Sequence, residues 1–231
     1  DRLTPVIDRI QPLVVTGEAA GRGVSCVVFD SRKAVPGCLF VAVRGTQVDG
    51  HDYIEKAVAL GAVAVVCEEI PLGADAGALE GSTSSEAPSP TPPIFRGEGV
   101  CYVKVQNSAK ALANIADEYH QNPSQNLSLI GITGTNGKTT VATLLHDLYT
   151  SLGYKAGLLS TVEVRIGSEV QAAPHTTPDA LSINALLAEM RDAGCDYVFM
   201  EVSSHAVSQH RTCGLAFNGG VFTNLSNDHL D

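Results

Sequence analysis

Residues 131–140 read GITGTNGKTT, a glycine-rich turn that decides how the second half of the chain folds. Gly134 and Gly137 allow backbone N–H groups to turn toward an anion, and the N-terminus of a following helix adds partial positive charge. Lys138 is placed to neutralise the β- and γ-phosphates of a nucleotide, and the hydroxyl of Thr139 is placed to bind Mg²⁺. The pattern therefore predicts a phosphate-binding loop, made of Gly134, Thr135, Asn136, Gly137, Lys138, Thr139 and Thr140.

The context of this loop is a strand over residues 127–133 and a helix over residues 139–152. The apolar face of that helix is predicted from residues at helical spacing: Val141, Leu144, Leu145, Leu148 and Leu152. The strict spacing G-x-x-x-x-G-K-[ST] is not met, because Ile132 stands at the first glycine position. A plain glycine-rich turn with a surface lysine is the alternative, but the strand and helix on either side favour phosphate binding.

The rest of the second half alternates in the same way. Further strands are predicted at residues 155–160, 197–202 and 220–223. A helix is predicted over residues 178–193, with Thr177 as its N-cap and Pro178 at its first position. This strand–helix–strand repetition predicts a parallel sheet covered by helices on both faces, as in a P-loop-type ATPase domain.

The first half of the chain predicts a smaller α/β unit. Its strands are expected at residues 24–29, 39–44, 62–67 and 100–105, and its helices at residues 53–60 and 108–120. Either Asn107 or Ser108 can cap the second helix. Residues 71–99, rich in proline and small residues, predict a flexible surface insertion. We therefore expect an α/β protein with two domains, residues 1–106 and 107–231.

Composition limits the partners. A formal net charge of −10 argues against nonspecific binding to nucleic acid or to anionic membranes. No apolar run reaches the roughly 18 residues that a transmembrane helix needs, so we expect no membrane insertion. Six cysteines without a CxxC pair lie mostly in apolar runs, a pattern typical of buried reduced thiols in a cytoplasmic protein.

The segment GTNGKTT at residues 134–140 resembles the ATP loop of the Mur ligases, the amide-forming ligases of peptidoglycan assembly. Further blocks resemble one branch of this family: DSR (30–32), GCLFVA (37–42), DGH (49–51), HTTP (175–178), EVSSH (201–205), TNL (223–225) and DHLD (228–231). The first three are similar to its uridine-binding domain, and the others to its substrate loop and central domain. The branch adds the third amino acid to UDP-N-acetylmuramoyl-L-alanyl-D-glutamate.

The resemblance implies roles for individual residues. Lys138, Glu201 and His229 are implied as catalytic, and Thr139, Glu201 and His229 as metal ligands. The implied substrate-binding residues are Phe29, Ser31, Thr46, Gln47, Val48, His175, Thr176, Thr177, Ser203, Gln209 and Arg211. From the residues alone, Ser31 also fits a turn serine, Glu201 a solvated strand-end carboxylate and Arg211 a surface arginine.

The implied reaction uses ATP and Mg²⁺ to join diaminopimelate, or lysine, to the UDP-linked dipeptide through an acyl phosphate. The resemblance also implies that this chain is an N-terminal fragment of a monomeric cytoplasmic enzyme, inactive in ligation by itself. It lacks the carbamylated lysine of the central domain and the C-terminal domain that receives the amino acid. The alternatives are a nucleotide-binding module without turnover, or a ligase of the folylpolyglutamate or cyanophycin type, against which the DSR and DGH blocks argue.

Overall fold

The computed structural model describes five stretches of the chain: residues 3–19, 21–45, 48–72, 99–173 and 178–226. Two compact units are present, Asp1–Ile115 and Ala116–Asp231. The division falls inside a helix, a little after the boundary expected at residues 106/107. The insertion expected at residues 71–99 lies almost entirely outside the described residues.

The first unit is a small α/β fold, as the sequence predicts. Its strands are Val14–Thr16 (β1), Val27–Val28 (β2), Leu39–Val41 (β3), Ala64–Cys67 (β4) and Cys101–Lys104 (β5). Its helices are Leu3–Arg9 (α1), Ile54–Ala59 (α2) and the greater part of Ser108–Tyr119 (α3). The strands form one sheet in the order β1-β5-β4-β3-β2, in which only β1 is antiparallel to its neighbour.

The core of the first unit lies against this sheet and includes the buried rings of Phe40 and Tyr102. Helix α1 and strand β1 were not anticipated, because such short elements carry too few residues for a periodic pattern. The open question about the cap of α3 is resolved in favour of Asn107, whose side chain accepts a hydrogen bond from the Lys110 amide at 2.8 Å.

The second unit is built around a larger sheet. Its strands are Ser128–Thr133 (β6), Ala156–Leu159 (β7), Glu163–Ile166 (β8), Glu169–Ala172 (β9), Tyr197–Glu201 (β10) and Gly219–Phe222 (β11). Its helices are Lys138–Ser151 (α4), Ala180–Asp192 (α5) and Ser204–Ser208 (α6). The order is β11-β6-β10-β7-β8-β9, and the first four of these strands are parallel.

Two cores cover the two faces of this sheet, because side chains alternate along each strand. On β10, Val198 and Met200 belong to the core that includes residues of α5, whereas Phe199 belongs to the core that includes α4. The prediction of a parallel sheet with helices on both faces is therefore confirmed for β6, β7, β10 and β11. The antiparallel pair β8–β9 was not anticipated.

The predicted apolar face of α4 is wrong at three of its five residues, whereas Val141 and Leu145 pack as expected. Leu144, Leu148 and Leu152 are 62%, 51% and 63% exposed, whereas Ala142 and His146 are buried. Partly buried Val141, Leu145 and Tyr149 complete the packed face. The periodicity fits either face, and tertiary packing selects the one whose small and aromatic side chains fit against Phe199 and Tyr197.

The predicted cap of α5 is also wrong. The helix begins at Ala180, two residues later than Pro178, and its N-cap is Asp179 rather than Thr177. The carboxylate of Asp179 accepts hydrogen bonds from the amide and the hydroxyl of Ser182, both at 2.9 Å. Aspartate satisfies two donors of the first turn, which explains its preference at this position.

All six cysteines are free thiols, and four of them are buried, which confirms the interpretation from the sequence. Burial raises the pKa of Cys67 to about 12. Within the described stretches, no helix is both long and apolar enough to cross a bilayer.

Candidate functional site

The site of the second unit lies at one edge of its sheet. Strands β6, β7, β10 and β11 are parallel, so their carboxyl ends meet at the same edge, where open α/β sheets bind ligands. The residues at or just after these four ends are the loop Gly134–Gly137, Thr161, Glu201 and Asn224. Two of the neighbouring pairs of strands, β6–β11 and β7–β10, bring these elements into contact in pairs.

The loop after β6 presents unpaired amides at the start of α4. Gly134 and Gly137 have φ of 129° and 83°, values that favour glycine. The first α-helical bond runs from Val141 N to Gly137 O at 2.9 Å. Within the described part of the chain, the amides of residues 137–140 donate to no protein group. Four free N–H groups at the positive end of a helix form an anion-binding site.

Two amides in the first half of the loop are occupied. Thr135 N donates to Asn224 O at 2.9 Å, and Asn136 N donates to Asn224 Oδ1 at 3.0 Å. Of the loop predicted over residues 134–140, Thr135 and Asn136 therefore have no free amide to offer a phosphate, whereas residues 137–140 do.

Lys138 bends back over the loop. Its Nζ donates to the carbonyl oxygens of Gly134 and Thr135, both at 2.8 Å, and the side chain is partly buried. The ammonium group therefore lies above the same turn whose following amides are free. This position places a full positive charge beside the partial positive charge of the helix terminus.

Glu201 ends β10 and is 6% exposed. Its carboxylate accepts from Thr161 N at 3.3 Å and from Thr161 Oγ1 at 3.5 Å, two long hydrogen bonds. No basic side chain of the described residues pairs with it. A buried carboxylate with unused acceptor sites and no positive partner fits a divalent cation, so its chemistry agrees with the implied Mg²⁺. No cluster of three or more acidic, histidine or cysteine side chains suited to a metal occurs among the described residues.

A small pocket adjoins Glu201. It is lined by residues from the ends of β7 and β10 and from the start of α5: Leu159, Ser160, Thr161, Pro178, Ile183, Met200 and Glu201. The predicted substrate residues Ser203, Gln209 and Arg211 follow β10 around α6. Ser203 caps α6 by accepting from Ala206 N at 3.1 Å, and Arg211 Nη2 donates to Gln209 Oε1.

The predicted substrate residues of the first unit follow β2 and β3, which are parallel neighbours. Phe29 and Val48 are exposed, and Ser31 is buried. Next to Ser31, the guanidinium of Arg32 donates to Asp30 Oδ2 at 2.7 Å and, with its amide, lowers the pKa of Asp30 to about 2. Phe29 and Ser31 therefore lie at the edge of the first sheet where β2 ends.

A polar network that sequence reasoning missed follows the parallel neighbours β3 and β4. Arg44 pairs with Asp49, Glu68 and Glu69, and His51 Nδ1 lies 2.6 Å from Asp49 Oδ1. The Glu68 amide donates to His51 Nε2 at 2.8 Å, so the ring proton is assigned to Nδ1. These residues come from separate segments, and no local signal identifies them as partners.

Several predicted site residues lie outside the described residues: Thr46, Gln47, His175, Thr176, Thr177 and His229. Their roles stay predictions. Conversely, Thr161 and Asn224 contact the predicted site without having been assigned a role in it. A strand-end position on a parallel sheet was the available signal for Thr161, and Asn224 also lies in the TNL block at residues 223–225.

Two family models match the chain in order. The Mur ligase family, catalytic domain, matches residues 23–120, and the Mur ligase middle domain matches residues 132–231. The UDP-N-acetylmuramoyl-L-alanyl-D-glutamate--2,6-diaminopimelate ligase of Bacteroides fragilis is 45% identical over 230 residues, which is 100% of this chain and 43% of that protein. The chain thus spans less than half the length of this curated relative.

Solved structures of Mur ligases share the fold of this chain. One structure of a UDP-N-acetylmuramoyl-L-alanyl-D-glutamate--2,6-diaminopimelate ligase matches 97% of this chain and 41% of its own, with a TM-score of 0.72 and 25% identity. The MurF ligase of Thermotoga maritima in complex with ADP matches 89% of this chain and 38% of its own, with a TM-score of 0.52 and 22% identity, which shows the fold alone. Since both family models match, and the fold is shared, the chain belongs to the Mur ligase family.

Proposed function

We propose that this chain forms the first two domains of an ATP-dependent ligase that adds meso-diaminopimelate, or L-lysine, to UDP-N-acetylmuramoyl-L-alanyl-D-glutamate. The observation that carries the proposal is the set of four free amides at the N-terminus of α4, beside Lys138 and on the same sheet edge as Glu201. The curated relatives named for diaminopimelate favour that amino acid over lysine.

The loop binds the phosphates of ATP in this proposal. The amides of residues 137–140 donate to phosphate oxygens, and Lys138 exchanges its carbonyl partners for the β- and γ-phosphates. The remaining loop residues, Gly134, Thr135 and Asn136, shape the turn. The ADP present in the Thermotoga maritima MurF crystal is consistent with this assignment.

Glu201 and the hydroxyl of Thr139 hold Mg²⁺, and His229 is proposed as a further ligand. When bound, the ion supplies positive charge that neutralises phosphate oxygens. Glu201 is well suited to this role, because β10 fixes its backbone and Thr161 orients its carboxylate.

The UDP-linked dipeptide binds through two groups of residues. Phe29, Ser31, Thr46, Gln47 and Val48 are proposed to contact the uridine portion. The dipeptide portion is assigned to the residues after β10 and in the substrate loop: His175, Thr176, Thr177, Ser203, Gln209 and Arg211. Arg211 is able to bind a carboxylate or a pyrophosphate through its planar guanidinium.

The reaction then needs positioning and charge neutralisation rather than a nucleophilic side chain. The side-chain carboxylate of the D-glutamyl residue attacks the γ-phosphate of ATP, which gives an acyl phosphate and ADP. The amine of the incoming amino acid attacks the acyl carbon, and inorganic phosphate leaves. We place the enzyme in the cytoplasm, where its free thiols stay reduced.

The test is phosphate release by the protein at the full length of its relatives. Release should require ATP, Mg²⁺, the UDP-linked dipeptide and diaminopimelate together, and omission of any one should abolish it. Product formation from the dipeptide without UDP, or from a folate, would contradict the substrate assignment. Titration calorimetry with this chain alone should show binding of the UDP-linked dipeptide without ligation.

A further inference from the structure

A segment after β11 holds the first half of the phosphate loop. Asn224 Oδ1 accepts from Asn136 N at 3.0 Å, Asn224 Nδ2 donates to Asn136 O at 3.1 Å, and the Asn224 carbonyl accepts from Thr135 N at 2.9 Å. Thr223 Oγ1 lies 2.7 Å from Asn136 O, and Thr135 Oγ1 accepts from Ser226 N at 3.0 Å. Two segments far apart in the sequence are thereby joined residue by residue.

The side-chain amide of Asn224 pairs with the backbone N–H and C=O of Asn136, as the backbone of a neighbouring strand would. A donor and an acceptor on one planar amide are both needed, and aspartate of the same shape lacks the donor. The pair fixes the orientation of the backbone at Asn136, which is the residue before the four free amides. It therefore sets the direction in which those amides leave the loop.

The close approach depends on Gly134. A Cβ atom at Gly134 would lie 2.2 Å from Thr223 Oγ1 and 2.8 Å from Asn224 O, distances that no side chain tolerates. Asn136 and Asn224 are both exposed, so their hydrogen bonds add little to the stability of the core. A dense set of contacts on an exposed edge, next to free amides, suits the shaping of a binding loop better than the stabilisation of the fold.

We propose that Asn224 is a positioning residue for the nucleoside triphosphate, which acts by holding the loop in the shape that binds phosphates before the nucleotide arrives. The inference rests on the proposed function, because it assigns a residue to the same ATP site. Without Asn224, the loop must be ordered when the nucleotide binds, and that cost weakens binding.

The experiment compares four forms of the full-length protein: wild type, Asn224→Ala, Asn224→Asp and the control Asn218→Asp. Asn218 also accepts from a backbone amide, Leu129 N at 2.9 Å, and aspartate keeps that acceptor. ADP affinity by calorimetry, KM for ATP, KM for the UDP-linked dipeptide and the thermal midpoint are measured for each. These readouts separate loop shape from general stability.

Asn224→Ala should raise the Kd for ADP and the KM for ATP about tenfold, the effect of losing two modest hydrogen bonds. Asn224→Asp should raise both by a similar factor, because it loses the donor to Asn136 O and places a carboxylate oxygen against that carbonyl. The KM for the UDP-linked dipeptide should stay within about twofold of wild type, and Asn218→Asp should match wild type throughout. An Asn224 variant that folds and binds ADP as wild type does would overturn the positioning role, even if its thermal midpoint falls. Absence of ADP binding in wild type and in Asn218→Asp would overturn the proposed function, and the positioning role with it.

Discussion

The two units each contain a polar network that joins distant segments, but the two networks differ in what they leave unpaired. In the first unit, Arg44 forms ion pairs with Asp49 and Glu68, and His51 and Ser108 complete the hydrogen bonds of the network. In the second unit, Asn224 satisfies two loop amides and leaves the next four free.

We propose that this difference separates a structural network from a binding site. A closed network has no donor to offer a ligand, so its residues act on the stability of the fold. An open one keeps unpaired donors, which favour an anion. We therefore expect substitutions in the second unit to reduce nucleotide use without unfolding, and substitutions in the first network to do the reverse.

Lys138→Ala should have the largest effect. Removing the positive charge that we propose neutralises the transferred phosphate should lower kcat/KM of the full-length enzyme at least about 100-fold. Lys155→Ala is the matched control, because Lys155 also donates to a carbonyl, that of Ala193, but precedes β7 at the opposite end of the strand. Unchanged activity in Lys138→Ala would contradict the assignment of residues 134–140 as a phosphate-binding loop. It would also contradict the distinction between a stabilising network in the first unit and a binding site in the second.

Glu201→Gln should come next. The amide keeps the shape of the side chain but loses the charge that binds a divalent cation, so the affinity for Mn²⁺ used as a probe should fall at least about tenfold. Electron paramagnetic resonance of free Mn²⁺ measures this directly. Glu189→Gln, an exposed position on α5, should bind Mn²⁺ as wild type does, and an equal loss in both variants would refute the metal site.

Ser108→Ala should affect stability instead. Ser108 is buried, and its amide and hydroxyl donate to Glu68 Oε1 at 2.9 and 2.8 Å. Losing the hydroxyl should lower the free energy of unfolding by about 1–3 kcal/mol, measured in urea, with ADP affinity unchanged. Ser151→Ala, whose hydroxyl bonds an exposed carbonyl, should cost less than about 0.5 kcal/mol. A reversed order would show that the first network is not the stabilising one.

The pH dependence should be the smallest effect. Burial raises the pKa of Glu68, but the hydrogen bonds from Ser108 and the charge of Arg44 outweigh it and leave the pKa below its ordinary value of 4.5. The pKa of Asp49 is lowered mainly by the His51 amide. Because both folded pKa values are depressed, their stabilisation is present above the ordinary values and is lost as pH falls below them.

The urea-unfolding free energy should therefore decline from about pH 5 to pH 3, less steeply in Glu68→Gln than in wild type. Glu189→Gln serves as the control, since its carboxylate is exposed on α5. Equal slopes in wild type and Glu68→Gln would mean that this carboxylate is not held by the network.

The sequence predicts the parts of this molecule that depend on local chemistry. The loop at residues 134–140, the alternation of strands and helices, and Glu201 at a strand end all follow from neighbouring residues. Helix α4 shows the limit, because Leu144, Leu148 and Leu152 give a strong apolar signal but are exposed, whereas Ala142 and His146 are buried. Whether a small residue of a helix is buried depends on how closely the helix approaches the sheet. The hydrophobic periodicity of the sequence contains no information about that distance.

Polar pairs between distant residues also could not be predicted from the sequence. Asn224 and Asn136 are 88 positions apart, and Ser108 and Glu68 are 40 apart. Each residue type is ordinary by itself, and only the register of parallel strands brings the partners together. Asp179 differs, because aspartate is a preferred N-cap residue and could have been identified from the sequence. The preference of proline for the first helical position led instead to Thr177 as the predicted N-cap.

The most direct test of the central claim is the amide NMR spectrum of this chain during titration with ADP and Mg²⁺. The account predicts saturable shifts concentrated at the amides of residues 137–140, which are free to donate to phosphate. The amides of Thr135 and Asn136, already bonded to Asn224, should shift much less. Shifts absent from residues 137–140, or equally large at Thr135 and Asn136, would contradict the claim that this half of the loop binds the nucleotide.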